Sequence, residues 1–384
     1  MTAIALLAAP ARGQDLYKAS AGYTYFHRTG ADMAAHDAMV KACIADAASV
    51  ADNASFLASS MQMGGVIANL ALGMVSQAQL RQVNRIQFAA NVENCMVANG
   101  WDVVHLDDAD GARLAALPGP QQAEALAAWV GATAPHGVIV RSFSPISTQI
   151  TGRIPIPADR LGPSSLSLTA GDHEITQIVR SSDAAPPEWR LISFVPPGSA
   201  DAASAVIVIR TRSAGRYHGT FWLAHLGDAP ASDDKPVALS YIQATTPASA
   251  PFSRAANGKT YVAVVPPGRW RLIGYSGVAP SKYTGFYASL PTSISLCLGG
   301  PAFDVKPGQA VFAGTFDASA EDFFKPDLDP AKADLGDTAL AARLEPAHWT
   351  NGEKTPCDLL WGNYIYRYEI PGAPSAITGR DPER

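Results

Sequence analysis

The residues able to do chemistry in this chain are few and widely spaced. Of its eight histidines, His173 within Asp172-His173-Glu174 and the pair His218 and His225 have neighbours of interest. On a strand, an odd interval points two side chains to opposite faces, so His218 and His225 are not expected to share a metal ion. Asp107, Asp108 and Asp110 supply the oxygen ligands a hard cation prefers. They lack the glycine and terminal glutamate of a calcium loop, and read as a solvated turn. Cys43, Cys95, Cys297 and Cys357 show no C-x-x-C spacing of a zinc or redox site. The sequence contains no G-x-G-x-x-G after a strand, no phosphate-cradling loop, no H-E-x-x-H and no G-x-S-x-G elbow. No catalytic residue, cofactor or metal is therefore assigned.

The cysteines speak instead about compartment. They follow an N-terminus, Met1-Thr2-Ala3-Ile4-Ala5-Leu6-Leu7-Ala8-Ala9-Pro10-Ala11, that is a short apolar run ending in small residues. Ala9-Pro10-Ala11 and Ala11-Arg12-Gly13 both offer small-x-small spacing, so residues 1–13 read as a signal-like segment and the mature chain is expected to begin near Arg12 or Gln14. The run lacks a basic opening, and the alternative is an Ala-rich tail. No cysteine follows the cleavage point, which argues against a lipid anchor. An oxidising compartment favours disulfides over buried thiols. Of three possible connectivities, Cys43 with Cys95 and Cys297 with Cys357 keeps each pair within one half of the chain. A periplasmic or secreted location follows as the expectation.

The elements that position these residues divide into two styles. With 384 residues and 47% apolar content, the chain has material for two or three domains. The net charge is −5, charged residues make up 16% of the chain, and no basic stripe offers a nucleic-acid footprint. From Gly30 to about Thr133 the chain is rich in Ala, Met, Gln and Leu at helical spacing; from Val138 it is dense in Gly, Pro and β-branched residues. Thr133-Ala134-Pro135-His136-Gly137 reads as the hinge, giving a helical domain over 14–134, a β-rich connecting region over 138–200 and a β-sandwich domain over 201–384. The sandwich domain is expected to fold without the helical one.

Within the helical half, Thr29-Gly30-Ala31-Asp32 reads as a helix start with Thr29 as N-cap. A second helical run covers 55–99 and stops at Asn99-Gly100. A Cys43–Cys95 bond would tie these two helices, worth about 4 kcal/mol in the chain-entropy model. The stretch bounded by Gly64 and Val75 is strongly apolar but too short to span a bilayer, so no transmembrane span is expected. A shorter amphipathic helix is expected over 120–133, with Pro120 in its first turn.

The second half offers strand candidates at 138–143, 150–156, 175–179, 189–195, 205–212, 220–226, 237–244, 260–265, 270–275, 294–298, 310–316 and 364–370. Their lengths and punctuation argue for an antiparallel sandwich. Val264-Val265-Pro266-Pro267-Gly268-Arg269-Trp270 reads as a hairpin. Asp329-Pro330 opens a helix over 331–344. The fold class is α+β, a disulfide-tied helix pair followed by an antiparallel β-sandwich.

Two segments carry a family resemblance. Tyr261-Val262-Ala263-Val264-Val265-Pro266-Pro267-Gly268-Arg269-Trp270-Arg271-Leu272, followed by Phe303-Asp304-Val305-Lys306-Pro307-Gly308-Gln309-Ala310-Val311-Phe312-Ala313-Gly314, resembles the transthyretin-like or PEGA-like β-sandwiches of bacterial envelope proteins over roughly residues 205–317. Glu93-Asn94-Cys95-Met96-Val97-Ala98-Asn99-Gly100-Trp101 is similar to a Cys-Met then Gly-aromatic signature of small, mostly uncharacterised proteobacterial cell-envelope proteins. Both resemblances imply the envelope, and neither implies a catalytic residue.

Three function classes fit. The favoured one is a noncatalytic envelope protein that binds or scaffolds an envelope protein or glycan. A hydrolase or glycan-active enzyme with a site assembled from distant loops is the alternative. The third is a helper in peripheral membrane contact through the Gly64 to Val75 helix. The candidate partner-binding residues are Tyr283, Phe286 and Tyr287, in the long connection between the strands near Tyr275 and Ile294. Their competing role is to close the end of the sandwich.

Overall fold

The computed structural model describes residues 16, 19–20, 22–60, 77–143, 188–213, 218–225, 238–247, 257–278, 292–317, 323–357, 360, 362 and 364–375. The expected strands at 150–156 and 175–179, the apolar stretch 64–75, and Tyr283, Phe286 and Tyr287 lie outside the described residues.

After strand β1 (Thr24–His27) the chain turns at Gly30, whose φ is +76°. Asp32 rather than Thr29 caps helix α1 (Met33–Ser60), its Oδ1 accepting from the Ala35 N–H at 2.7 Å. The glycine turn moves the helix start beyond the position Thr29 would cap. Cys43, Ala47 and Val50 recur at helical spacing and are fully buried. They pack with Val92, Cys95 and Met96 of helix α2 (Gln77–Ala98). The expected Cys43–Cys95 disulfide joins the two helices, with Cα atoms 5.4 Å apart. Helix α2 stops at the expected Asn99-Gly100: Gly100 adopts φ +82°, its N–H bonds Val97 O, and the Trp101 N–H reaches back to Met96 O at 3.1 Å. Those paired bonds close the orphan carbonyls at the helix end.

Strand β2 (Asp102–His105), helices α3 (Asp108–Ala115) and α4 (Gly119–Val130) and strand β3 (Val138–Arg141) follow. The acidic group is the start of α3: Asp107 is its N-cap and accepts from the Asp110 N–H. That backbone bond, first, holds the Asp107 carboxyl below its ordinary range. The three strands form one antiparallel sheet, β1-β2-β3. The segment 133–137 therefore links two elements of one unit, because β3 pairs with β2 across it.

The sandwich strands are β4 (Glu188–Leu191), β5 (Val206–Ser213), β6 (His218–His225), β7 (Ala238–Thr245), β8 (Asn257–Val264), β9 (Gly268–Val278), β10 (Thr292–Val305), β11 (Ala310–Asp317), β12 (Phe324–Lys325), β13 (Leu344–Pro346), β14 (Thr350–Glu353) and β15 (Tyr364–Arg367). The first sheet runs β14-β10-β9-β6-β7-β4, with β15 parallel to β10. The second runs β12-β11-β5-β8, with β13 parallel to β11. The expected antiparallel order is thus diluted by parallel pairs, β4 with β7 and β5 with β11 among them. Described strands of the expected connecting region 138–200 go to different sheets, β3 to the small one and β4 to the sandwich. The Pro266-Pro267-Gly268 turn is not a hairpin. It is an arch from β8 in the second sheet to β9 in the first, braced by the Trp270 indole N–H on Pro266 O at 3.1 Å.

Alternation sorts the side chains into layers. Ile207, Ile209, Phe221, Leu223, Trp270, Leu272, Phe303 and Val311 fill the space between the sheets. Val206, Val208 and Phe312, on the other face of the second sheet, pack under helices α5 (Asp329–Leu335) and α6 (Ala339–Ala342). The expected single helix over 331–344 breaks at Gly336, φ +63°, and Thr338 caps the restart. On the outer face of the first sheet, Ala224, Ile273, Leu298 and Ile365 join Cys43, Met96 and Trp101 in one apolar cluster. Ile273 reaches that face because the β6–β9 register slips between Trp222 and Leu223. The order of layers is α5/α6, second sheet, first sheet, α1/α2. The second expected disulfide, Cys297–Cys357, lies in the same cluster as the first, so the helical half and the sandwich share a core.

Helix α5 is fastened to the second sheet by Asp334, which accepts from Thr260 Oγ1 at 2.5 Å and Arg210 Nε at 2.9 Å. Burial alone would push this carboxyl up; the two hydrogen bonds and the Arg210 charge outweigh it and hold the group below the ordinary aspartate range. A depressed folded-state pKa gives stability that is complete above the unfolded value, about 3.9, and is lost as pH falls through the folded value. The melting-temperature gap between the parent and Asp334→Asn is therefore expected to be widest near neutrality and to close toward pH 2. A gap that widens on acidification would rule out this role for Asp334.

Candidate functional site

One groove of about 460 Å³ opens at the edge of the second sheet. Strands β13 and β12 pair with opposite ends of the same β11, at Ala310 to Phe312 and at Thr315 to Phe316. Neither pairs with Ala313-Gly314, and the groove lies over that interruption. Phe312 and Gly314 give the floor, Phe324 and Pro326 one wall, and Pro346 and Trp349 another. Trp349 is locked in place: its indole N–H donates to Ala313 O at 3.1 Å, and its ring meets Phe303 edge-on at 4.5 Å.

The last wall is the turn at Pro371-Gly372, and Asn351 builds it. The Asn351 side chain donates to Ile370 O at 2.9 Å and Ala373 O at 3.1 Å and accepts from the Ile370 N–H. Buried at 4% exposure, this amide has its donors and acceptor satisfied, which fixes the turn against β14.

The lining is apolar, rich in proline, and carries two polar side chains with free rotation at the rim, His348 and Thr350. Thr350 also leads out of the groove: its hydroxyl accepts from Arg269 Nη2 at 2.7 Å. Arg269 bonds Asp304 and Glu353, and Glu353 bonds Arg271 as well. Arg271 is 6% exposed, and its Nε and Nη1 have no hydrogen-bond partner. Burial lowers its pKa, an effect opposed by Glu353 and reinforced by Arg269. With both charges matched by carboxylates, the network braces β9, β10 and β14.

A second polar node lies on α2, within the segment that carries the Cys-Met signature. Glu93 accepts from Arg141 Nη1 at 2.6 Å and from the Ser20 N–H and hydroxyl at 2.8 and 2.9 Å. Asn94 accepts from Arg141 Nη2 and donates to Leu16 O. One turn earlier, Asn91 accepts from the Ile365 N–H at 3.0 Å. These side chains clamp the N-terminal segment, β3 and β15 to one helix.

The four sequence-assigned cysteines form the two expected disulfides and bring no reactive thiol to the groove. His225 packs against the Trp270 ring at 5.5 Å, away from the groove. Among the described residues no group of three His, Cys, Asp or Glu side chains is placed to hold a metal ion, and no helix is long and apolar enough to cross a membrane. The groove itself was missed by sequence reasoning; its only local trace is the run of prolines and aromatics from Pro346 to Trp349.

No protein-family model, curated protein or solved structure matches the chain.

Proposed function

We propose that the protein is a noncatalytic binding protein of the cell envelope, periplasmic or secreted, whose groove at Ala313-Gly314 takes a short extended peptide segment of a partner protein. The lining carries the reading. A glycan would need several hydrogen-bonding side chains, and the lining offers His348 and Thr350. Bond cleavage would need a nucleophile within reach of an oriented base; His348 is the one titratable lining residue. Proline and aromatic walls suit an extended, proline-containing segment, which carries little ordering entropy into the complex. The volume is that of a site enclosing a small ligand or a few residues, too small for a folded second copy. Two buried disulfides and the envelope resemblances support the compartment.

Ala347 lines the groove with a half-buried side chain, while its N–H bonds Phe312 O. Ala347→Trp therefore fills the groove and leaves that bond intact. Titration with a short proline-rich peptide is expected to give saturable binding that this variant weakens by about tenfold or more, with its melting temperature within about 2 °C of the parent. Equal binding by both proteins removes the groove from consideration.

A further inference from the structure

Leu16 and Ser20 are buried fixtures of the fold although they lie just downstream of the signal-like run. The Leu16 side chain is 3% exposed and belongs to the cluster between the two sheets. Its carbonyl accepts from Asn94 Nδ2 at 2.9 Å. Ser20 gives both its N–H and its hydroxyl to Glu93, the same carboxylate that binds Arg141.

We propose that Leu16 and Ser20 form a closing strap that seats only after the chain is cut just upstream, so that processing precedes the last step of folding. The cut is hydrolysis of the Ala11–Arg12 or Gly13–Gln14 peptide bond by signal peptidase. Water supplies the hydroxyl to the departing leader's carboxylate, and a new α-amino group is left on Arg12 or Gln14. Before the cut, Leu16 is held within about 17 Å of the apolar run, at ~3.5 Å per residue. Sheet and helix layers each occupy roughly 10 Å, so a leader held in a bilayer keeps Leu16 from entering an inter-sheet core flanked by such layers. Until it enters, Glu93 lacks two donors and Asn94 lacks its acceptor.

The inference rests on the envelope reading, and two measurements separate their failures. Intact mass of the protein recovered from cells is expected to place the mature N-terminus between Arg12 and Leu16; a mature chain starting beyond Leu16 overturns the strap, and an uncut chain starting at Met1 overturns both readings. The second measurement is hydrogen exchange at the Ser20 amide. In the mature chain it is expected to be protected. In an Ala11→Leu, Gly13→Leu precursor, and in a soluble fusion with a folded carrier joined directly to Arg12, exchange is expected to be about tenfold faster or more, as local opening requires. Equal protection in the fusion and the mature chain overturns the strap while leaving the groove untouched.

Discussion

Arg141→Met is expected to lower the unfolding free energy by about 3–5 kcal/mol, because it leaves a buried carboxylate without its counter-charge. Glu93 and Arg141 are 2% and 7% exposed, and their contact is 2.6 Å. Only the two Ser20 donors would remain on Glu93. The double variant Glu93→Leu, Arg141→Met removes both charges and is expected to recover a large part of that loss. Chemical denaturation of the four proteins of the cycle measures both quantities. A single variant within about 1 kcal/mol of the parent would show that the ion pair is not what joins β3 to α2.

Each disulfide is expected to contribute about 4 kcal/mol through the unfolded state, the chain separations being 52 and 60 residues. Peptide mapping without reductant should return Cys43 with Cys95 and Cys297 with Cys357; four free thiols in protein from its native compartment would reject both. The sharper expectation concerns coupling. Because both bonds lie in one apolar cluster, Cys43→Ala, Cys95→Ala and Cys297→Ala, Cys357→Ala should interact in a double cycle rather than add. Strict additivity would mean that the helices and the first sheet open independently.

The long strands were legible because their apolar residues alternate: Val206 and Val208 against Ile207 and Ile209 announce a strand buried on both faces. The cysteine pairs were legible from composition alone, since each falls within one half. Strands β1, β2, β12 and β13 were not, being two to four residues long and lacking any repeat from which to read a period. Pro266-Pro267-Gly268 marked a turn correctly, but turn chemistry does not say which sheet receives the next strand. Thr29 looked like a cap because Asp32 follows it three residues on; the left-handed Gly30 shifts the helix start so that Asp32 takes that task. The groove had no signal to read. Its walls come from four stretches, around Phe312, Phe324, Trp349 and Pro371, which only the edge pairing of β11 assembles. Asn91, Glu93 and Asn94 did carry one: three polar residues in a helix otherwise buried there, a pattern that calls for partners elsewhere in the chain.

Strand β15 is the last strand in the sequence, yet it lies parallel to the centre of β10 and presents the Ile365 N–H to Asn91 of the second helix. The earliest helices therefore wait for the final segment before their apolar face is covered. Such late, distant closure slows folding, and it makes completeness self-reporting. A chain broken off by premature termination before Tyr364 would carry an uncovered helix pair, and housekeeping proteases would have the same exposed target whichever end of the molecule was damaged.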